Sequence, residues 1–435
     1  MTATVPLDHA TAVHGGKAAN LGRLRRAGLS VPDGFVVPAA VPDGEVPAAV
    51  AAGLGGLSAP GAARADVPVA ARSSAADEDG PRASAAGQYE TVLGAVGADA
   101  VVAAVRACRA SARAPRVAAY RVATGSGAGA DAAGVAVLVQ RLVDARAAGV
   151  LFTAPDGGET VVEASWGLGE SVVQGSVDPD RFTVTRGAIA GRRTGAKRTR
   201  VDRSPAGTTT GTTTGTTTGT VTRDVADDDR RRPCLDDDEV LRLADLGARV
   251  ATLLGGPQDV EWAVDGAGTA WLLQARPVTA ALPPPRCEHD FGPLWPVRVG
   301  QNHAHSGPAM LRGTPGSGGR GRGPVRVVRG PDDFSAVRPG DVLVCRETDP
   351  AWTPLFRVVA AVVTETGGLL SHAAIVAREL GLPAVLGVRG ATRRLGGATT
   401  AVVDGDAGTV TPPPGAMTRA DIRGRRPPAG GTMPS

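Results

Sequence analysis

Short apolar runs, many rich in β-branched residues and bounded by glycine or proline, recur along this chain. Val69-Ala70-Ala71, Val135-Ala136-Val137-Leu138-Val139, Gly149-Val150-Leu151-Phe152 and Ala360-Ala361-Val362-Val363 read as buried strands. Val31 to Val37, Val325 to Val328 and Asp341 to Cys345 add further strands, and Thr400 to Gly405 with Gly408 to Val410 predicts a closing hairpin. Helical spacing appears between them, at Leu21, Leu24 and Leu29, from Val101 to Tyr120, and at Val240, Leu241, Leu243 and Leu246 behind Asp236. Gln258 to Val264 and Ala270 to Thr279, separated by Asp265-Gly266, predict a β-hairpin. Strands interleaved with helices give an α/β (α+β) fold class.

Three stretches break this pattern. Residues 45–66 are rich in Ala, Gly and Pro and carry no readable periodicity. Thr208 to Thr220 repeats Thr-Thr-Thr-Gly, has no side chains from which to build a core, and predicts a flexible loop over 204–222. Ala280 to Ser306 is proline-rich and polar. The expected organisation is therefore a domain over 1–280, a linker over 281–307, a domain over 308–412 and a disordered tail over 413–435.

Composition narrows the function classes. The length of 435 residues accommodates two or three domains. Lysine and arginine number 47 against 43 acidic residues, a net charge of +4 that is too even to argue for nucleic acid, and aromatics at 3% leave no stacking platform for single strands. The four cysteines, Cys108, Cys234, Cys287 and Cys345, are scattered without a C-x-x-C pair, which points to a reduced, cytoplasmic setting. No apolar run reaches the ~18–20 residues of a membrane span. Asp8 and His9 stand where a signal peptide would need its apolar core.

Candidate chemistry concentrates in a few places. After the strand ending at Val363 come Gly367-Gly368, then Ser371 as N-cap and His372 at the start of a helix over Ala373 to Leu380, which Gly381 and Pro383 terminate. Free N–H groups at a helix start stabilise an anion, and imidazole is a nucleophile near neutral pH, so His372 suits a phosphohistidine. The plain alternative is a histidine satisfied within a strand-turn-helix. Lys17, beside Gly15-Gly16 at a helix start, suits a phosphate contact without matching the usual P-loop, and Lys197 is the only other lysine. Arg72, at a strand end beside Ser73-Ser74, can fork onto a polyphosphate or sit on a surface turn.

On the hairpin, Glu261 and Gln274 offer hard oxygens from two strands, as a nucleotide-bound Mg²⁺ requires, and Arg276 can neutralise a transferring phosphate. The same residues would also serve as the solvated face of a half-exposed hairpin. Cys287, His289, His303 and His305 in the linker number enough for zinc, but their spacing matches no zinc module, and solvated side chains are the plainer reading.

The run from Val363 to Pro383 resembles the phosphohistidine signature of the phosphoenolpyruvate-utilising enzymes, a family that includes phosphoenolpyruvate synthase, pyruvate phosphate dikinase and rifampicin phosphotransferase. The arginine, two serines, acidic pair and Gly-Gln-x-x-Thr of residues 72–91 resemble that family's nucleotide-binding half, as does the 258–279 hairpin. This resemblance covers residues 12 to 280 and 310 to 412. It implies an ATP-grasp-like nucleotide-binding domain followed by a small swivelling β/β/α phosphohistidine domain. It also places Arg72, Gly87, Thr91, Val92 and, on the adenine side, Gln140 at nucleotide contacts. The segment between Phe152 and Val161 is shorter than usual for the family.

The resemblance implies an ATP- and Mg²⁺-dependent phosphotransferase of the dikinase type. The β-phosphoryl of ATP would pass to His372 and then to a small-molecule acceptor or a separate acceptor subunit. The large third domain that binds the family's acceptor has no counterpart in these residues. A compact phosphoenolpyruvate synthase relative acting on pyruvate is the alternative within the class. A non-catalytic phosphocarrier or regulator, or a decayed fragment, is the alternative outside it.

Overall fold

The computed structural model describes residues 4–57, 67–75, 89–114, 117, 134–154, 158–204, 212–213, 216–217, 219–279, 282 and 310–413. Gly87, the tail from 414 and the linker cluster of Cys287, His289, His303 and His305 lie outside the described residues.

The first antiparallel sheet contains β1 (Val5–Pro6), β2 (Gly34–Val37), β3 (Val69–Ser74), β4 (Thr91–Ala95) and β5 (Ala136–Arg141) in the order β1-β2-β5-β3-β4. Helix α1 (Gly16–Arg26) carries Leu21 and Leu24 into the core under it. The uninformative stretch at 45–66 contains a helix, α2 (Val46–Leu57), whose Val46, Ala49, Val50 and Leu54 are buried against Phe35 and Val37. Its Gly and Ala content hides that period. The only large residues of the buried face are few, and Gly53 has a packing reason: an added Cβ would lie 2.4 Å from the Phe35 ring. Helix α3 (Ala98–Ser111) is shorter than the predicted span to Tyr120.

The second sheet is also antiparallel, in the order β15-β14-β6-β7-β8-β9. It uses β6 (Ala145–Phe152), β7 (Thr160–Trp166), β8 (Asp180–Thr185), β9 (Ala188–Arg193), β14 (Gln258–Asp265) and β15 (Ala270–Pro277). Strands β10 (Thr199–Arg203) and β13 (Thr220–Asp224) pair as a separate ribbon. Within the Thr/Gly repeat, β11 (Thr212–Thr213) and β12 (Thr216–Thr217) pair with each other. Helix α4 (Asp237–Leu254) is started by a reciprocal cap: Asp236 accepts the Glu239 N–H at 2.7 Å and Glu239 accepts the Asp236 N–H at 3.0 Å. Such a cap is worth about 1 kcal/mol. The face of α4 that carries Val240, Leu243 and Val250 joins α1, Trp262 and Phe182 in the largest apolar cluster.

Residues 310–413 build an eight-stranded sheet in the order β16-β23-β22-β18-β19-β20-β21-β17. The strands are β16 (Leu311–Arg312), β17 (Thr314–Ser317), β18 (Arg320–Val327), β19 (Val342–Cys345), β20 (Ala361–Thr364), β21 (Ala384–Leu386), β22 (Thr400–Asp404) and β23 (Thr409–Thr411). β18 to β21 run parallel, and β19, β20 and β21 are near-continuously apolar, as strands covered on both faces require. One face carries α5 (His372–Glu379) with Trp352 and Phe356, and the other is closed by Leu395, Val403 and Val410. The chain is thus a mixed α/β protein.

Candidate active site

One cavity between the first two sheets is lined by Lys17, Arg72, Thr91, Gln140, Glu261, Gln274 and Arg276, and His372 reaches it from the third. Strand periodicity explains the assembly. On β14, Val260, Trp262 and Val264 point into the apolar core, so Asp259, Glu261 and Ala263 turn the other way. Glu261 and Gln274 are direct cross-strand partners, as are Asp259 and Arg276.

The charges in this wall are already organised. Lys17 is 4% exposed and donates to Gln274 Oε1 at 3.0 Å. Arg72 donates to the Leu273 carbonyl at 2.9 Å and sits 3.4 Å from Glu261 Oε2. Arg276 forms a buried pair with Asp259, through Nε at 2.8 Å and Nη2 at 2.6 Å. Gln140 donates to the Pro32 carbonyl at 3.2 Å. Beside these groups, an apolar slot is formed by Ala70, Leu93, Ala145, Leu168 and Ala263.

Val92 does not belong to this set. It is 4% exposed within the core beneath the first sheet, because alternation along β4 gives the cavity to Thr91 and Leu93 and turns Val92 to the opposite face. Four acidic groups that sequence reasoning passed over do line the cavity: Glu90, Glu170, Asp259 and Asp349. Asp259 could have been found from its period-two relation to Glu261. Glu170 follows Gly167-Leu168-Gly169 and opens the short helix Glu170–Val173. Burial raises its pKa, Gln174 opposes this by hydrogen bonding, the Glu90 charge adds to it, and Arg72 opposes it.

Gly367, with φ of +103°, makes the turn that sends the chain from β20 toward α5. Ser371 is the N-cap, as predicted, with extended backbone, but its hydroxyl donates back to the Gly368 carbonyl at 2.9 Å instead of capping the helix. His372 follows at the first helical position and is 3% exposed. The loop is seated on the second sheet through Glu163 of β7. That fully buried carboxylate accepts N–H groups from Leu369 and Leu370, both at 3.0 Å, and Arg181 Nε at 2.9 Å. Gly367 N–H to the Val177 carbonyl (3.1 Å) and Thr366 Oγ1 to the Gly175 carbonyl (2.7 Å) complete the seat.

Further contacts tie α5 down. Thr279 Oγ1 donates to Glu379 at 2.8 Å. Arg378 lies 5.9 Å over the Phe152 ring and donates to the Leu369 and Gly316 carbonyls. Burial lowers its pKa to about 10, against the opposing charges of Asp259, Glu163 and Glu379.

Residues 43–284 match the family described as pyruvate phosphate dikinase, AMP/ATP-binding domain, and residues 337–408 match the PEP-utilising enzyme, mobile domain. A probable phosphoenolpyruvate synthase of Archaeoglobus fulgidus is 34% identical over 444 residues, covering 91% of this chain and 56% of the relative. Phosphoenolpyruvate synthase of Escherichia coli is 37% identical over 364 residues, covering 78% of this chain and 43% of the relative. The chain belongs to the pyruvate phosphate dikinase and phosphoenolpyruvate synthase family of PEP-utilising enzymes. It spans about half the length of these curated relatives.

Among solved structures, the VanG D-Ala:D-Ser ligase of Enterococcus faecalis aligns with a TM-score of 0.32 at 12% identity, covering 63% of this chain and 54% of that one. That likeness is slight. Among the described residues no helix is long and apolar enough to cross a membrane.

Proposed function

We propose that this chain is an ATP-dependent phosphotransferase that moves the β-phosphoryl of ATP to His372 and releases AMP and inorganic phosphate, with one water consumed. The observation that supports this most is that His372 opens onto the same cavity as Lys17, Arg72, Glu261, Gln274 and Arg276. Phosphoryl transfer needs in-line placement and neutralised charge more than covalent help from the protein, and that is what this set offers. Lys17, Arg72 and Arg276 would meet the phosphates. Ala70, Leu93 and Leu168 would hold the base, with Gln140 beside it.

Glu261 and Gln274 fit Mg²⁺, a cation commonly bound by one or two protein oxygens together with phosphate oxygens and water. Among the described residues no three His, Cys, Asp or Glu side chains are grouped to hold a metal alone, so the nucleotide would complete the site. When bound, the ion would supply charge neutralisation between the phosphates.

Residues 1–280 would then form the nucleotide-binding domain and 308–412 a swivelling phosphohistidine domain on the 281–307 linker. The acceptor is a small molecule, or a separate subunit receives the phosphoryl group. The relatives' name, phosphoenolpyruvate synthase, favours pyruvate as that acceptor. Incubation with ATP labelled at the β or γ position tests the first step. Label should be retained only from the β position, and His372→Ala should abolish it. Retention of neither label together with no AMP would sink the proposal.

A further inference from the structure

The ribbon of β10 and β13 lies outside the first two sheets, yet it and the adjoining Gly219 are bonded to apolar-slot residues from each of them. At one wall, the Leu168 N–H donates to the Val201 carbonyl of β10 at 2.7 Å. Gly167 allows this approach, since an added Cβ would lie 2.3 Å from that carbonyl oxygen. At the other wall, the Gly219 N–H donates to the Leu93 carbonyl at 3.0 Å, and the Gly219 carbonyl accepts the Ser204 N–H at 2.8 Å.

The second joint is backbone against backbone. A Cβ on Gly219 would lie 2.1 Å from the Gly94 carbonyl oxygen, and one on Gly94 would lie 2.6 Å from the Gly219 carbonyl oxygen. Gly94 also has φ of +73°, at the point where the pairing of β3 with β4 shifts register. Leu93 and Leu168 both line the cavity, and Val201 packs on the cluster they share with Ala70, Ala145 and Ala263. Leu93 belongs to the first sheet, whereas Leu168 follows β7 of the second.

We infer that the β10–β13 ribbon is a strap that fixes the spacing of the two walls of the base slot, with Gly94 and Gly219 as its positioning residues. The inference rests on the reading of this cavity as the ATP site. A slot formed by two separate sheets must otherwise lose freedom when the base enters, and a strap removes that loss beforehand. The ligand class it serves is the nucleoside part of a nucleotide, because neither joint touches the Lys17, Arg72 and Arg276 side of the cavity.

The test is calorimetric titration of the full chain with ATP and with inorganic tripolyphosphate. Gly219→Val should weaken ATP about tenfold and leave tripolyphosphate unchanged. Val201→Ala should weaken ATP by a smaller factor, about threefold. If folded Gly219→Val binds ATP like wild type, or loses ATP and tripolyphosphate equally, the strap is overturned.

Should that variant not fold, hydrogen exchange in wild type decides together with Val201→Ala. The Leu168 and Gly219 amides should both be protected from exchange before ATP is added, and fast exchange at both overturns the strap. Absence of ATP binding by wild type overturns the ATP reading itself, and so is distinct from failure of the strap alone.

Discussion

Leu370 donates its backbone N–H to Glu163 Oε2 at 3.0 Å, joining residues 207 positions apart and holding the loop before His372 against the second sheet. The carboxylate has no accessible surface and also receives Leu369 and Arg181, so it is a satisfied buried anion. Glu163→Gln replaces one acceptor oxygen with an amide that cannot accept from both loop N–H groups. A hydrogen bond to a charged group is worth about 1.5–3 kcal/mol, so His372 phosphorylation should slow roughly tenfold or more while ATP affinity holds. Equal phosphorylation rates in wild type and variant would count against a seating role.

Lys17 carries one of only two lysine charges in the chain and reaches Gln274 from the start of α1. Lys17→Met keeps the length and removes the charge. Loss of one preorganised donor to a developing charge costs about 10²-fold in rate, and the effect should appear in single-turnover phosphorylation of His372. A variant that labels at the wild-type rate would place the phosphates elsewhere.

Glu170 predicts a pH dependence. Its pKa is raised in the folded chain, so the folded state binds the proton more tightly than the unfolded one. Its contribution is full below the unfolded value and is lost as pH rises through the folded value. Glu170→Gln cannot ionise, so its melting temperature should gain on wild type as pH rises from about 4 to about 7. A difference that stays constant across that range would contradict the assignment.

Val92 and Thr91 separate core from cavity on one strand. Val92→Ala removes buried methyl groups and should cost about 1–3 kcal/mol in denaturant unfolding, with ATP affinity unchanged in the folded protein. Thr91→Ala should do the reverse: near-native stability and weaker ATP. Matching effects of the two changes on ATP would return Val92 to the cavity wall.

Much of the candidate site was legible because its signals are local. The Glu261 and Gln274 pair follows from strand alternation around a two-strand turn, and His372 at a helix start follows from glycine turns, an N-cap and apolar spacing. α2 was hidden because alanine and glycine fill a helix face without marking it, and only contact with Phe35 reveals which face is buried. Val92 was misplaced because a motif assigns neighbours together, whereas a strand sends them to opposite faces.

The sequence by itself determined the order of most elements, the α/β class and the residue types able to meet phosphate and metal, since these depend on neighbours within a few positions. Only the tertiary structure decided that Glu163 seats the histidine loop, that Arg276 is paired with Asp259, and that a ribbon spans the slot from Leu93 to Leu168. The first and last of those contacts join elements far apart in the chain, and the second depends on the register of the hairpin. The seat and the ribbon rely on backbone N–H groups and close glycine approach, which leave little trace in the order of side chains.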